Sequence, residues 1–294
     1  MDPATPPSND DSELVSIGTP TAWVIIRVLV ESPEDIKTAR KLQHGITVTA
    51  PATHPHTRTE RAGRATTIAQ AGAEYFAELK RYIELDPPAP WHPSLSPAAQ
   101  AIVDNPSSVA TKVLAAGVAE GEQLILRGNG SDAVKRNGWS TGRAATGSGD
   151  DILKRAVGAK FGLGGHQAIE NRSYAAQADA QGNRIDGTKP LTLHFAADNK
   201  PPCSAFWSLT AYGPDMYLVE NAIDRWSISD RTPDLNYDED GGLTITLSYE
   251  QPTAMTNWLP VPAGPYLLGL RVYEGHDEVV NCAWFPPTLN PAND

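Results

Sequence analysis

Four side chains in the second half of this 294-residue chain are of types suited to acid/base and anion-binding chemistry: His194, Tyr212, Arg271 and Tyr273. Imidazole titrates near neutral pH and can pass a proton. A guanidinium presents a planar fork of donors that matches a carboxylate, and a phenol can donate to developing negative charge. Each of the four lies in a stretch of period two, in which side chains alternate between the faces of a strand. In "AFWSLTAY", 205–212, Ala205, Trp207, Leu209 and Ala211 share one face, and Phe206, Ser208, Thr210 and Tyr212 share the other. "LTLHF", 191–195, sets Thr192 and His194 against three apolar residues, and "YLLGLRVYE", 266–274, sets Leu267, Gly269, Arg271 and Tyr273 against Leu268, Leu270 and Val272. The pattern predicts an apolar core face and a second face that gathers Ser208, Thr210, Tyr212, His194, Arg271 and Tyr273. That face is either the solvated side of an antiparallel sheet or a pocket lining in which Phe206, Ser208 and Thr210 touch substrate and the other four do chemistry. Its hydroxyls, rings, His and Arg, beside a glycine that clears space, differ from the Lys and Glu of an ordinary wet face.

Further candidates stand outside these strands. "ENAIDRWSISDR", 220–231, holds charges of both signs, which read as a structural network with Asp230 capping a turn, or as Asn221 and Arg225 at a pocket mouth. Trp139 in "NGWSTG" and Trp258 in "NWLP" either edge a ligand or pack as core. "HPH", 54–56, with His44 and Glu60 nearby, lacks the spacing of a metal shell, so no metal site is expected. No nucleophile elbow and no phosphate-binding glycine loop after a strand is found, and no cofactor is indicated.

These residues need a frame to hold them. Residues 1–20, rich in Pro, Ser, Asn and Asp, read as a flexible tail. A mainly helical segment, 21–165, follows. It opens on a strand at 22–30, then helices at 32–45 (entered through Ser32 and Pro33), 67–85, 106–128 and 149–165. From 166 to 294 the period becomes two, with strands expected at 173–179, 190–196, 203–212, 216–219, 225–229, 243–249, 265–274 and 279–285, separated by turn-forming residues. The fold class is α+β, a helical segment packed on an antiparallel jelly-roll-like sandwich.

Composition narrows the partners. With 35 acidic and 24 basic residues the net charge is −11, which repels polyanions and argues against nucleic acid. No apolar run is long enough to span a membrane, and no leader pattern opens the chain, so the expectation is a cytoplasmic protein that meets a small-molecule ligand, as a monomer or a homo-oligomer. Cys203 and Cys282, both in expected strands, read as free buried thiols.

The run "PPCSAFWSLTAYGPDMYLVENAIDRWSISDRTPDLNYDEDGGLTITLSYEQP", with "NWLPVPAGPYLLGLRVYEG" and "AWFPP" after it, closely resembles the bacterial and fungal family called domain of unknown function 1214. "TAWVIIRVLVESPEDIKTARKLQHGITVTA" and "NGWSTG" resemble the segments that join it to its usual partner, domain of unknown function 1254. The resemblance implies a β-rich, jelly-roll-like C-terminal fold and a chain lacking most of the partner domain, and it carries no reaction with it. From the residues themselves the expected function is a cofactor-independent enzyme acting on a small organic molecule, in specialised metabolism, through the polar sheet face. The alternatives are a non-catalytic module binding carbohydrate or protein, and a structural member of the family.

Overall fold

The computed structural model describes residues 24–30, 32–49, 68–85, 95–105, 109–143, 151–162, 164–179, 181–253 and 257–292. The chain divides into two compact units, 1–122 and 123–294. The expected tail at 1–20 and the "HPH" cluster lie outside the described residues.

The first unit is helical. Residues 24–30 are irregular rather than the expected strand, and Val24, Ile25, Ile26 and Leu29 are all about half exposed. A strand is defined by its ladder, and this apolar run pairs with no other segment among the described residues. Pro33–Asp35 form one 3₁₀ turn that leads into α1, Ile36–Gly45; Ser32 precedes it without a side-chain cap. Helix α2 spans Ile68–Leu85. Helix α3, Pro97–Asp104, was not expected. It has a Ser-Pro start, with Ser96 Oγ accepting from Ala99 N at 3.2 Å. Helix α4, Thr111–Gly128, begins five residues later than the pattern suggested and runs across the division between the units.

The second unit carries α5, Ile152–Phe161, capped by Asp151 accepting from Lys154 N at 2.9 Å, and a sandwich of two sheets. Its strands are β1 Ala133–Arg136, β2 Trp139–Gly142, β3 Asn171–Ala176, β4 Leu191–Phe195, β5 Cys203–Tyr212, β6 Ser227–Ser229, β7 Leu243–Ser248, β8 Trp258–Pro260, β9 Leu267–Gly275 and β10 Leu289–Pro291. One sheet has the order β1-β2-β3-β9-β5-β6 and the other β10-β4-β7-β8. Every pairing is antiparallel except β7 with β8. The alternation read from sequence fixes the core: Trp207, Leu209, Leu268, Leu270 and Val272 from the six-stranded sheet and Leu193, Phe195, Ile245 and Leu247 from the four-stranded sheet are buried in one cluster. The fold is therefore α+β with a C-terminal two-sheet sandwich.

Several boundaries differ from the expectation. The sheet begins at Ala133, ahead of the expected sandwich start at 166. Residues 216–219 contribute only a bridge between Tyr212 and Leu218. Residues 279–285 form no strand: a short helix α6, Asp277–Val280, leads into Cys282, whose φ of 62° ends any extended run. Cys282 is thus a buried turn residue, and both cysteines are free. No helix among the described residues is long and apolar enough to cross a membrane.

Candidate functional site

The outer face of the six-stranded sheet collects most of the residues singled out from sequence. Strand β9 lies at its centre, and register places Tyr273 beside Phe206 and Asn171, Arg271 beside Ser208 and Ser173, and Gly269 beside Thr210 and Ala175. Ser229 and Ser227 continue the second and third rows on β6. One face thus holds an unbroken polar strip flanked by rings.

Two arrangements occupy it. Phe206 and Tyr273 stack with centroids 4.3 Å apart; the Arg231 guanidinium lies 4.3 Å over the Phe206 ring, and His166 meets Tyr273 edge-on at 6.4 Å. This closed stack leaves no slot between its rings. Beside it, Arg271 turns the other way, its guanidinium carbon 5.5 Å from the centre of the Tyr212 ring. Gly269 makes that possible, since a Cβ there would stand 3.3 Å from both Arg271 Nη1 and Tyr212 Cε2. Arg271 makes no hydrogen bond or ion pair among the described residues, and neither do the side-chain hydroxyls of Ser208, Thr210, Tyr212 and Tyr273. Thr210 is buried, Ser208, Tyr212, Arg271 and Tyr273 are half-buried, and Ser173 and Ser227 at the sides are exposed, so the strip is sheltered only at its centre.

His194 is not part of this face. It sits on β4 in the other sheet, and its exposed side points away from the core. There its Nδ1 lies 2.9 Å from Thr244 Oγ1 and 3.3 Å from an Asp238 carboxylate oxygen, while Thr244 Oγ1 donates to the same Asp238 oxygen at 2.8 Å. With the threonine proton spent on Asp238, Nδ1 is the donor in its contact with Thr244 Oγ1. Period two assigns a residue to a face of its own strand but does not say which sheet that strand joins. That is why sequence alone placed His194 beside Arg271.

The remaining candidates are mostly structural. Trp139 is 1% exposed and donates from Nε1 to Pro287 O at 2.7 Å; Trp258 is 4% exposed and donates to Ser248 O at 3.1 Å. Neither presents a free ring. Asn221 holds its own loop, donating to Val219 O and Arg225 O and accepting from the Ile223 and Arg225 amides. Arg225 does line a cleft of about 240 Å³ between the 228–236 segment and Asn257, and its Nη1 donates to Trp258 O at 3.0 Å.

Asp230 Oδ1 accepts from Trp207 N at 3.2 Å, just past the irregularity in β5 between Cys203 and Phe206. Partial burial raises its carboxyl above its ordinary value despite that bond. Burial also pushes the Cys203 thiol up to about 11, with the Asp230 charge adding to the effect. Among the described residues no group of three or more His, Cys, Asp or Glu side chains is placed to hold a metal ion. Sequence reasoning missed the parts played by Arg231 and His166. Their contacts arise across strands and from the loop ahead of β3, and no local pattern encodes them.

The family model for proteins of unknown function DUF1214 matches residues 170–277, and that for DUF1254 matches residues 2–50. Among solved structures, the VPA0106 protein from Vibrio parahaemolyticus is 20% identical with a TM-score of 0.53, over 89% of this chain and 66% of that one. An uncharacterised protein from Burkholderia cenocepacia is 13% identical with a TM-score of 0.30, over 76% of this chain and 48% of that one. The first shares the fold with this chain, which spans just under two thirds of its length. No curated protein matches the chain.

Proposed function

We propose that this chain, which belongs to the DUF1214 family and carries a short DUF1254 stretch, binds a small organic anion on the outer face of its six-stranded sheet. The observation that carries the reading is Arg271. It is a half-buried guanidinium on a central strand, its fork paired with no carboxylate among the described residues, in a chain with 35 acidic against 24 basic residues. A charge held out of bulk water without a partner is costly, and its cost is recovered when a carboxylate completes the fork. Ser208 and Thr210 supply hydroxyls next to it, and the Tyr212 ring backs the guanidinium and directs it over Gly269.

The second reading is catalysis without a cofactor on the same bound molecule, favoured by the contact of His166 with Tyr273, which puts a proton-transfer group at the edge of the strip. His194 has no part in that reading.

The test is calorimetric titration with a panel of small aliphatic and aromatic carboxylates. Wild-type protein is expected to bind at least one of them, and Arg271→Ala to weaken it about tenfold or more, in keeping with the loss of a charged hydrogen-bonded pair, with the melting temperature nearly unchanged. Equal binding by the variant, or no binding by the wild type across the panel, overturns the proposal. For the catalytic reading, His166→Ala is expected to abolish turnover of the bound carboxylate while leaving its affinity in place; turnover that survives the substitution removes it.

A further inference from the structure

The cleft beside Arg225 is independent of the sheet face, and its lining carries charges of both signs. The Arg225 guanidinium is aimed by the bond from Nη1 to Trp258 O at 3.0 Å, which leaves Nε and Nη2 without partners among the described residues. Asp234 lines the same cleft with a carboxylate that makes no hydrogen bond or ion pair among the described residues. The two opposite charges do not bridge each other, so their groups stand more than 4.0 Å apart in a space of about 240 Å³. Leu235 adds a partly buried apolar side chain to the lining, and Asn236 and Thr232 add polar ones. Thr232 Oγ1 accepts from Ser229 N at 2.8 Å, which leaves its hydroxyl proton available.

We propose that this cleft is a binding site for a small zwitterion of the α-amino-acid class. A lone anion would be repelled by Asp234 and a lone cation by Arg225, whereas one molecule carrying both charges satisfies both residues at once. The guanidinium takes the carboxylate in its fork, the Asp234 carboxylate takes the ammonium, and a short aliphatic side chain packs on Leu235. The space is below the usual range for drug-sized ligands, roughly 300–1,000 Å³, which selects small members of the class.

Calorimetric titration of the full chain carrying Arg271→Ala, which removes the carboxylate site proposed on the sheet, with glycine, L-alanine, L-valine and L-leucine tests this. At least one is expected to bind, and N-acetyl-L-alanine and L-alaninamide, which each lack one charge, are expected to bind about tenfold more weakly or not at all. Asp234→Asn keeps the side-chain shape at a position with φ of 60°, which asparagine tolerates, and is expected to cost about tenfold in amino-acid affinity. Arg225→Lys is expected to cost as much, because a lysine retains the charge but not the fork. Absence of amino-acid binding at millimolar concentration in the Arg271→Ala chain, or equal binding of the two charge-deleted derivatives by it, overturns the assignment whatever the further variants do.

Discussion

Asp230 shows how one residue can hold a strand together at an energetic cost. Its carboxylate accepts from the amide of Trp207, yet partial burial at the same position raises its pKa. Below the unfolded value of 3.8 both states are protonated and the shift has no effect on stability. As pH rises through the raised native pKa the unfolded chain ionises more readily than the folded one, stability is lost, and the loss is complete above that pKa. Asp230→Asn keeps an oxygen to accept from Trp207 N and removes the charge. It is therefore expected to raise the melting temperature at pH 7, with the gain fading as pH falls toward 3.8, measured by thermal melts across that interval. A gain that does not change with pH sinks the electrostatic account. Tyr266 is a second case: its hydroxyl is buried without a hydrogen-bond partner among the described residues. Removing an unpaired buried group returns its desolvation cost, about 1–3 kcal/mol at most, so Tyr266→Phe is expected to be neutral or stabilising in urea denaturation. A loss of more than about 1 kcal/mol would show that the hydroxyl has a partner.

At the scale of elements, the β1–β2 hairpin turns on Asn137 and Gly138, whose φ values of 56° and 81° are those of a type I′ turn. A Cβ at Gly138 would meet Ala178 O at 2.8 Å as well as a disfavoured backbone. Gly138→Ala is expected to cost about 1–3 kcal/mol, read from the shift in denaturation midpoint, whereas Gly130→Ala, also at positive φ but in open space, should cost less. Equal costs would mean that the close approach to Ala178 contributes nothing. The same hairpin shows what was legible in the sequence. Asn-Gly before "WSTG" is a strong local hairpin signal, yet the strands on either side are four residues each and alternate weakly, so they were absorbed into the helical segment. Strand β5 was legible to the residue, because ten alternating positions commit the whole run to one register. Half of the candidate site was legible on the same grounds: Phe206, Ser208, Thr210, Tyr212, Arg271 and Tyr273 do share a face, since β5 and β9 pair directly. His194 was misplaced because β4 pairs with β7 and β10, and the choice of sheet depends on long-range pairing that alternation does not record. Residues 279–285 were misread for a different reason. Their apolar content is core content, but it is delivered by a turn in which Val279, Cys282, Trp284 and Phe285 are buried without a ladder.

For the whole molecule, the core cluster decides which part of the chain can stand alone. Its fully buried members run from Trp139 to Leu289 and come from both sheets, and the flanking pieces are tied in by long-range bonds such as Trp139 Nε1 to Pro287 O and Arg136 Nη1 to Ala283 O at 2.8 Å. The N-terminal hairpin and the C-terminal turn therefore close one another, and the sandwich needs both ends of the region between 133 and 291. A fragment of residues 111–294, cut ahead of α4 so that no helix is divided, is expected to fold cooperatively on its own. Leu270, fully buried at the centre of β9, serves as the reporter. Leu270→Ala is expected to cost about 2–5 kcal/mol, and to cost the same in the fragment as in the full chain, because the removed contacts all lie in the cluster that the fragment retains. Equal costs in urea titrations of the two would establish the sandwich as an autonomous unit. A fragment that melts without cooperativity, or a substitution cost that shrinks in it, would mean that residues before 111 complete the core.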